Sequence, residues 1–554
     1  MNGKQIKRKH VKKSVKNYLR SKEHISNEDV SDEDANYFLG ILNVLSEEAD
    51  PENKKLLAGN VIEFTRGREV ILASHQIASK VIENLLEFAD DAVLSEYQVA
   101  FKEDIRTLCA NRFSSHVLEK LIKVSAEQFL TQSGSNEPPG KKITLEQGGL
   151  DCKSFVESCS KFLMNNMEEF VWDSYANHVI RTCLKSLSGI CREEVAPLTV
   201  PEEWTVLVKE YASRLRDWPF FPDFPYQELT SGLLQTLISA LGRIDKNALK
   251  LIGAFFTEPQ PSEDDDSKLH KLFTTESSIR FLEALIALAG KKLFSKILLR
   301  LFQGNLRQLS LMKSANFCVQ KILEHVKTQE EFNLCFIELQ EHFGEILQAG
   351  HTGVILMLCQ TCHRLDVNQN QFIKSLRMGL SCPKEGNLAL CALKLKPHEM
   401  VEKDDSTFVH IHGSLILQEM LNFRKPIEIV QQILKIHPDK FINLLNTSKG
   451  SFIADAFFTS VHIGEKSRIA FVNHLQGFLV DMATGKFGSR CLERLFEASS
   501  DDQRSRIVAE LAEKINKMQS TQFGFIVSKK LRVMDFKQNP KRWNSMFKGN
   551  KKSK

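Results

Sequence analysis

A short amphipathic segment recurs along this chain, and the period of its recurrence constrains the fold more than any other feature. At residues 110–122 the sequence ANRFSSHVLEKLI sets apolar side chains at helical spacing, with Ser115, His116 and Glu119 between them. Ten further segments share its order: a small or turn-forming start, two variable residues, two mostly apolar residues, a polar residue and an apolar patch. The first variable residues of all eleven stand at positions 79, 115, 177, 232, 279, 316, 353, 414, 451, 489 and 525.

Six of the ten intervals between these positions measure 36–38 residues, a period typical of helical repeats. The longer intervals contain segments with loop chemistry, interpreted as insertions near residues 131–150, 191–227, 258–268 and 381–400. Another amphipathic stretch precedes each copy, so one unit is predicted to be a helix pair. Because no pair can bury its apolar face alone, about eleven of them predict an all-α solenoid over residues 31–540, curved or C-shaped.

The formal net charge of +5 conceals an uneven distribution of charge. Residues 1–22 contain nine Lys or Arg and no acid, and residues 529–554 contain ten with a single acid, so the remaining chain has a net charge of −13. Residues 1–30 are expected to be a disordered basic tail and residues 541–554 a second one, suited to holding phosphates or to nuclear targeting. Twelve cysteines scattered through apolar helical segments indicate buried thiols in a reducing compartment, and no apolar run is long enough for a membrane span.

The segments NFCVQKILE, SSHVLEKLI, GSRCLERLF and ANHVIRTCL resemble the second helix of Pumilio-type RNA-binding repeats. The resemblance covers about residues 60–540. Standard Pumilio domains have eight repeats, whereas eleven irregularly spaced copies, the insertions and the basic ends are more similar to the nucleolar protein 9 family of ribosome-biogenesis proteins.

This resemblance implies that the repeated helix lines a concave face, where the first and fifth variable positions contact a base edge and the second stacks between bases. The physics is consistent, because residues i and i+4 share one face of a helix and a flat or cationic side chain between them can sandwich bases. Guanine-type trios are Ser79–Lys80–Glu83, Ser115–His116–Glu119 and Ser489–Arg490–Glu493. Asn316–Phe317–Gln320 is of the uracil type, and Ser414 with Gln418 is of the adenine type.

Other copies fit the pattern less completely. Asn177, His178 and Arg181 form a polar trio without an assigned base, and Arg280 with Glu283 keeps half the pattern because Ile279 replaces the edge reader. Ser451–Phe452–Asp455 has a short acid. Three trios cannot read a base edge in this way, although Lys529 is retained among the RNA-binding residues: Gly232–Leu233–Thr236, Gly353–Val354–Met357 and Phe525–Ile526–Lys529. Partial sequence preference is therefore expected, not an eleven-base code.

The resemblance implies a non-enzymatic protein of the nucleus and nucleolus that binds the precursor of 18S rRNA, single-stranded or structured, and shields it from premature processing. Proteins of the pre-ribosomal particle are expected partners, the protein is expected to be a monomer, and no membrane, cofactor or metal is expected. A hydrolase triad at Ser115, His116 and Glu119 is disfavoured because adjacent helical residues point about 100° apart. The alternatives are a cytoplasmic Pumilio-type mRNA regulator and a protein-binding helical scaffold whose polar trios are only solvated.

Overall fold

The structure, a computed structural model, describes residues 30–134, 151–192, 196–258 and 269–547. The chain divides into two compact units, residues 1–296 and 297–554, each with its own core. The described residues contain helices and no β-strand, which confirms the all-α class. Among them, no helix combines the length and the apolar character needed to cross a membrane. All twelve cysteines are free thiols, and eleven are buried, as predicted.

The first unit contains fourteen α-helices within its described residues and a fifteenth that ends at the unit boundary. They are α1 (Asp32–Glu47), α2 (Pro51–Thr65), α3 (Glu69–Ala73), α4 (Ala78–Leu85), α5 (Asp91–Lys102), α6 (Ile105–Ala110), α7 (Ser114–Gly134), α8 (Cys152–Asn165), α9 (Met167–Phe170), α10 (Ser174–Leu187), α11 (Glu202–Arg216), α12 (Glu228–Ile244), α13 (Lys246–Thr257), α14 (Glu276–Leu288) and α15 (Lys291–Ile297). Short 3₁₀ helices cover Leu86–Phe88, Phe221–Tyr226 and Lys271–Phe273.

The second unit continues with a π-helical turn, Leu298–Phe302, and twenty α-helices in its described part. They are α16 (Leu306–Leu311), α17 (Asn316–His325), α18 (Gln329–Leu339), α19 (Phe343–Gln348), α20 (Thr352–Leu365), α21 (Gln369–Gly379), α22 (Leu388–Lys394), α23 (His398–Glu402), α24 (Ile411–Leu421), α25 (Ile427–Leu434), α26 (Pro438–Leu445), α27 (Ser451–Thr459), α28 (Glu465–His474), α29 (Leu479–Thr484), α30 (Gly488–Ala498), α31 (Asp501–Glu513), α32 (Ile515–Gln519), α33 (Gln522–Lys530), α34 (Val533–Gln538) and α35 (Pro540–Phe547).

Within the described residues the repeats consist of three helices, not the predicted pair, and the eighth repeat has a fourth helix, α23. A long first helix and a short middle helix precede the predicted segment, which forms the third helix, as in α5, α6 and α7. All eleven predicted segments are helical: they lie on α4, α7, α10, α12, α14, α17, α20, α24, α27, α30 and α33. The middle helices span only three to eight residues, so they carry too little periodicity to be recognised in the sequence.

Turn-forming residues begin several third helices as the sequence predicts. The Asp173 carboxylate accepts hydrogen bonds from the backbone N–H groups of Tyr175 and Ala176 at the start of α10. Thr275 makes a capping box with Ser278 at the start of α14. Such caps satisfy N–H groups that the first helical turn leaves without partners, and they fix where each third helix begins.

Two predicted insertions contain repeat helices, which corrects their interpretation as loops. Helix α11 lies within residues 191–227, with Trp204 fully buried, and the aromatic segment there forms the middle 3₁₀ helix of the fourth repeat. Helix α22 lies within residues 381–400, and α23 begins there and ends at Glu402. Proline and charge in these stretches conceal short buried helices. Residues 135–150 and 259–268 of the other two insertions lie outside the described residues.

The first residues of the predicted C-terminal tail form part of a helix. Residues 1–29 and 548–554 lie outside the described residues, but residues 541–547 belong to α35. The Trp543 side chain is 1% exposed, and its Nε1 donates a hydrogen bond to the Leu531 carbonyl oxygen at 3.0 Å. Its ring meets that of Phe536 edge-on at a centroid distance of 5.2 Å. One aromatic anchor therefore fixes this basic helix to the last repeat.

Replacing Trp543 with alanine is expected to lower the free energy of opening of α34 and α35 by about 3–5 kcal/mol, because a large buried side chain and its hydrogen bond are lost. Hydrogen exchange of the amides in these helices measures this quantity. Lys541→Ala on the same helix removes an exposed side chain and should change it by less than about 0.5 kcal/mol. Equal effects of the two substitutions would contradict the anchoring role.

Candidate nucleic-acid interface

The third helices repeat one pattern of burial across both units. In α7, Ser115 is 1% exposed, His116 is exposed, the next two residues are buried and Glu119 is half-buried. The same sequence of buried, exposed and half-buried positions occurs in α4, α10, α17, α24 and α30. The apolar residues of each helix therefore face the core, while the second and fifth variable positions border the solvent.

Ten of the eleven first variable positions are buried or half-buried, Phe525 being exposed, and several donate hydrogen bonds to backbone carbonyl oxygens. The donors are Ser79 Oγ to Gln76 (3.4 Å), Asn177 Nδ2 to Val171 (2.8 Å), Asn316 Nδ2 to Lys313 (2.7 Å), Ser414 Oγ to Lys449 (2.7 Å) and Ser489 Oγ to Lys486 (3.0 Å). The Ser115 hydroxyl has no hydrogen-bond partner within the described residues. The bonded first-position side chains thus help to order the starts of the third helices. The more accessible side chains lie at the second and fifth positions.

The second positions carry exposed aromatic, imidazole or cationic groups in most of the predicted trios: Lys80, His116, His178, Arg280, Phe317 and Arg490. Phe317 is 54% exposed, although phenylalanine side chains are usually buried. Leu415, at the same position of α24, is exposed but has no flat face. The exposed groups are therefore of the kind that can stack on a base.

Phe452 is a candidate that the sequence reasoning did not select. It occupies the second position of α27, is 40% exposed, and lies 4.9 Å from the Arg490 guanidinium, measured to the ring centroid. Arg490 also pairs with Asp455 at 3.1 Å. Phe452 directly precedes the apolar pair Ile453–Ala454, so the hydrophobic pattern does not distinguish it from a core residue. Its place directly after Ser451, which puts it at the second variable position, is the signal that could have identified it. In α33 Lys529 is exposed and lies 4.6 Å from the Phe525 ring centroid.

Fifth-position side chains connect neighbouring repeats. Glu119 accepts a hydrogen bond from Thr182 Oγ1 at 2.7 Å, and Arg181 Nε donates to Thr236 Oγ1 at 3.2 Å. Glu493 pairs with Lys530 Nζ at 2.7 Å. These contacts hold half-buried polar groups in defined orientations before any ligand binds.

Other fifth-position side chains bond within their own trio or remain half-buried. Gln320 Nε2 donates to Asn316 Oδ1 at 2.9 Å, and Gln418 Nε2 donates to Ser414 Oγ at 3.0 Å. Glu83 and Glu283 are half-buried at the same register. The first and fifth residues of these trios therefore do lie together, as the i, i+4 spacing predicts.

In the structure, the variable positions of the fourth repeat lie one residue earlier in the chain than the sequence pattern predicts. Ser231 Oγ donates to the Ser277 carbonyl oxygen at 2.7 Å, and Gln235 Nε2 donates to Ser231 Oγ at 3.1 Å. These bonds reproduce those of Ser414 and Gln418, and Leu233 is fully buried. The trio is therefore Ser231–Gly232–Gln235, which is polar at both edge positions.

The seventh repeat shows the same shift. Thr352 Oγ1 lies 2.8 Å from His412 Nδ1, at the position equivalent to Ser277, and Val354 is fully buried. Its trio is Thr352–Gly353–Leu356. In both repeats apolar residues follow the glycine, so hydrophobic pattern alone allows either alignment.

Glycine occupies the second position in these two repeats, and the fifth side chain of the preceding repeat lies over it. A Cβ atom on Gly232 would stand 3.0 Å from Arg181 Nη1, and one on Gly353 would stand 2.5 Å from Gln320 Oε1. Neither repeat can offer a stacking side chain. Because the two glycines have no side chain, they leave the space that the Arg181 and Gln320 side chains occupy.

Gly353→Ala is expected to displace the Gln320 amide and to weaken uracil preference at the sixth repeat by about tenfold, the lower part of the range for one paired base contact. Stability should hold or rise slightly, because alanine favours a helix interior by about 0.5–1 kcal/mol and Gln320 is flexible. Binding to RNAs that differ at one base measures the preference. Gly290→Ala, which meets nothing within 4 Å, is the control, and equal preferences in both variants would contradict the spacing role.

Burial alters the acid–base properties of the face formed by α7 and α10. It raises the pKa of Glu119, against the opposing effect of the Thr182 hydrogen bond and of His116. Burial also lowers the pKa values of His178 and Arg181, the former with help from the Arg181 charge. These shifts share one cause, which is removal of the groups from water. Polar groups on this surface are thus partly desolvated, a condition that strengthens contacts with a ligand.

Tandem three-helix units, each presenting a buried, an exposed and a half-buried variable residue, define a Pumilio-type helical repeat protein. The family model of the NOP9-like PUF repeat domain matches residues 67–199 and 194–525. The chain therefore belongs to the NOP9-like family of Pumilio-type RNA-binding repeat proteins. This assignment agrees with the resemblance seen in the third-helix segments.

Known proteins of similar sequence extend over most of the chain. Nucleolar protein 9 of Mus musculus is 24% identical over 570 residues, which cover 93% of this chain and 88% of that protein. Pumilio homolog 23 of Arabidopsis thaliana is 22% identical, with coverage of 93% and 73%. The solved structure of APUM23-GGAAUUGACGG has a TM-score of 0.74 at 22% identity and covers 93% of this chain and 99% of that one. This structural likeness concerns the fold.

Proposed function

We propose that the second and fifth variable positions of the third helices form an RNA-binding surface in each unit. The observation that carries the proposal is the recurrence of exposed aromatic and cationic second residues beside half-buried polar fifth residues in one register. A solvated face without a ligand gives no reason for Phe317 to be exposed at the position where Arg490 and His116 stand in other repeats. Of the twenty residues predicted from the sequence to bind RNA, the fourteen at these two positions are kept as proposed RNA contacts, and Phe452 is added. The six buried first-position residues are kept as supports that order the helices: Ser79, Ser115, Asn177, Asn316, Ser414 and Ser489.

The bases of the RNA would stack on the second residues of some repeats but not of others. Each competent stack contributes about 1–3 kcal/mol, so five or six of them support useful affinity after the cost of ordering the strand. Gly232 and Gly353 supply no stacking surface, and Leu415 supplies little. Sequence preference is therefore concentrated in the second, third, sixth and tenth repeats and is weaker in the first and eighth, where Lys80 and Leu415 are poorer stacking groups. The remaining repeats contact backbone or RNA structure.

The proposed RNA is the precursor of the small-subunit rRNA, bound in the nucleolus and shielded from premature processing. Support comes from relatives named nucleolar protein 9 and from the APUM23 structure, which is named with the sequence GGAAUUGACGG. Proteins of the pre-ribosomal particle are the proposed neighbours. The proposed role is binding. The second repeat does not support a hydrolase triad, because the buried Ser115 hydroxyl has no hydrogen-bond partner among the described residues and His116 lies 3.9 Å from Glu119.

Crosslinking in cells followed by sequencing of the bound RNA tests this proposal. Enrichment of small-subunit precursor rRNA is expected, and it should be lost in a variant with Phe317 and Arg490 both replaced by alanine. Enrichment of mRNA 3′ regions would support a cytoplasmic regulator instead. Absence of crosslinked RNA at moderate salt, with unchanged protein partners in the variant, would support a protein-binding scaffold.

A further inference from the structure

Two thiols and an imidazole converge in residues 381–400. Cys382 follows α21, Cys391 lies on α22 and His398 begins α23. The two Sγ atoms and one ring nitrogen all lie within 4.8 Å of one another, and Cys391 Sγ is 3.9 Å from His398 Nδ1. In the part of the chain that the structure describes, no second group of this kind occurs.

The imidazole of His398 is oriented toward the thiols from outside the cluster. Its Nε2 lies 3.0 Å from Glu402 Oε1, one helical turn further on, and its backbone N–H donates to the Leu380 carbonyl oxygen at 3.0 Å. The Nε2–H bond to a carboxylate leaves Nδ1 with a lone pair directed to the sulfur side. Metal-binding histidines are commonly held by such a carboxylate, which fixes the tautomer and increases basicity.

The surroundings bring the three ligands close together. A Cβ atom on Gly386 would stand 3.0 Å from both Cys382 Sγ and His398 Cε1, a tight contact that the glycine avoids. Arg377 Nη1 lies 3.6 Å from Cys382 Sγ and donates to the Pro383 carbonyl oxygen at 2.6 Å. The positive charge of Arg377 offsets part of the burial that raises the pKa of the Cys382 thiol.

We propose that Cys382, Cys391 and His398 bind a zinc ion. Two thiolates and one imidazole are ligands that zinc prefers, and bond lengths of about 2.3 Å to sulfur and 2.0 Å to nitrogen place tetrahedral ligand atoms about 3.5–3.8 Å apart. The Cys391–His398 pair is nearly at that separation, and the other atoms need only a small closure. Binding transfers both thiol protons to solvent, and water fills the fourth position. This departs from the expectation of a chain without metal.

The ion would stabilise the start of α24, the third helix of the eighth repeat. Residues at the end of α22 contact the beginning of α24: the His410 N–H donates to the Leu393 carbonyl oxygen at 3.1 Å, and a Cβ atom on Gly413 would stand 2.4 Å from the Ala392 carbonyl oxygen. Zinc links Cys382 and His398 to α22 at Cys391. It therefore fixes the one middle helix that, among the repeats as far as the structure describes them, is separated from its third helix by an additional helix.

Metal content of the full-length protein, purified under reducing conditions without chelator, tests the site. About one zinc per chain is expected by mass spectrometry of the metal. After removal of zinc, titration with Co²⁺ should produce a thiolate-to-cobalt charge-transfer band that added Zn²⁺ abolishes. Absence of both the bound zinc and this band in the wild-type protein would overturn the proposal, as would a Cys382–Cys391 disulfide in protein kept under reducing conditions.

Matched variants assign the ligands. Cys391→Ala should lose the zinc, whereas Cys335→Ala, which removes an equally buried thiol of the same unit, should keep it. Glu402→Gln should weaken zinc affinity about 10–100-fold by loosening His398, and Glu399→Gln on the same helix should leave it unchanged. Zinc retained by Cys391→Ala, or equal affinities in the two glutamine variants, would contradict the assignment. If Cys391→Ala does not fold, the cobalt titration of the wild-type protein and the glutamine pair decide.

Discussion

Replacing Phe317 and Arg490 together with alanine is expected to weaken RNA binding at least about 30-fold, because each substitution removes a stack that contributes about 1–3 kcal/mol. The two residues belong to different repeats and share no partner, so their effects should add. Fluorescence anisotropy with the RNA recovered from cells measures the dissociation constants. Thermal stability should change little, since both side chains are exposed.

Two control variants distinguish the loss of stacking from other causes of weaker RNA binding. Ile337→Ala removes a side chain that is 65% exposed on the first helix α18, outside the proposed surface, and should leave affinity unchanged. Arg490→Lys keeps the charge but removes the planar group, so it should lose most of what Arg490→Ala loses. An effect of Ile337→Ala as large as that of Phe317→Ala would place RNA on a different face.

The second large effect is expected at Glu119, where Glu119→Gln should change the preferred base from guanine to adenine. The carboxylate can accept hydrogen bonds from both N1–H and N2–H of guanine, whereas serine with glutamine reproduces the adenine-type pair Ser414–Gln418. A paired base contact contributes about 1–3 kcal/mol of discrimination, so preference should shift about tenfold or more in each direction. Binding to an RNA series that differs at the base facing the second repeat measures it.

Glu127→Gln is the matched control, because Glu127 lies on the same helix and pairs with Arg192 away from the trio.

The pH dependence of the base preference provides a further check. Burial raises the pKa of Glu119, so its carboxylate becomes protonated at a higher pH than that of an exposed glutamate, and guanine preference should weaken as the pH is lowered. Glu119→Gln should remove that part of the pH dependence. An unaltered base preference in Glu119→Gln would refute the role of the fifth position.

The third helices could be predicted from the sequence because each has a strongly periodic apolar face that must pack against its neighbours. Positions such as Ser115, Asn316 and Ser489 were located correctly on their helices, and the family resemblance then suggested a role for each. The middle helices could not be predicted, since three to eight residues hold barely one or two turns. Residues 388–394 were interpreted as part of a loop because the surrounding proline, glycine and lysine dominate the composition.

The register of two repeats was wrong for a different reason. Around Gly232 and Gly353 the apolar residues are continuous, and a shift of one residue leaves the hydrophobic pattern satisfied. Only cross-repeat bonds such as that from Ser231 to Ser277 distinguish the alignments. Burial of the first positions was also beyond sequence reasoning, because it depends on the neighbouring repeat that covers them.

The central claim is that RNA lies on the third helices, at their second and fifth variable positions. Photocrosslinking of the full-length protein to its RNA carrying 4-thiouridine, followed by identification of the crosslinked peptides, tests it most directly. The account predicts crosslinks in α7, α10, α17 and α30, centred on His116, His178, Phe317 and Arg490. Crosslinks confined to the first helices, such as α18, or to the basic ends would contradict it.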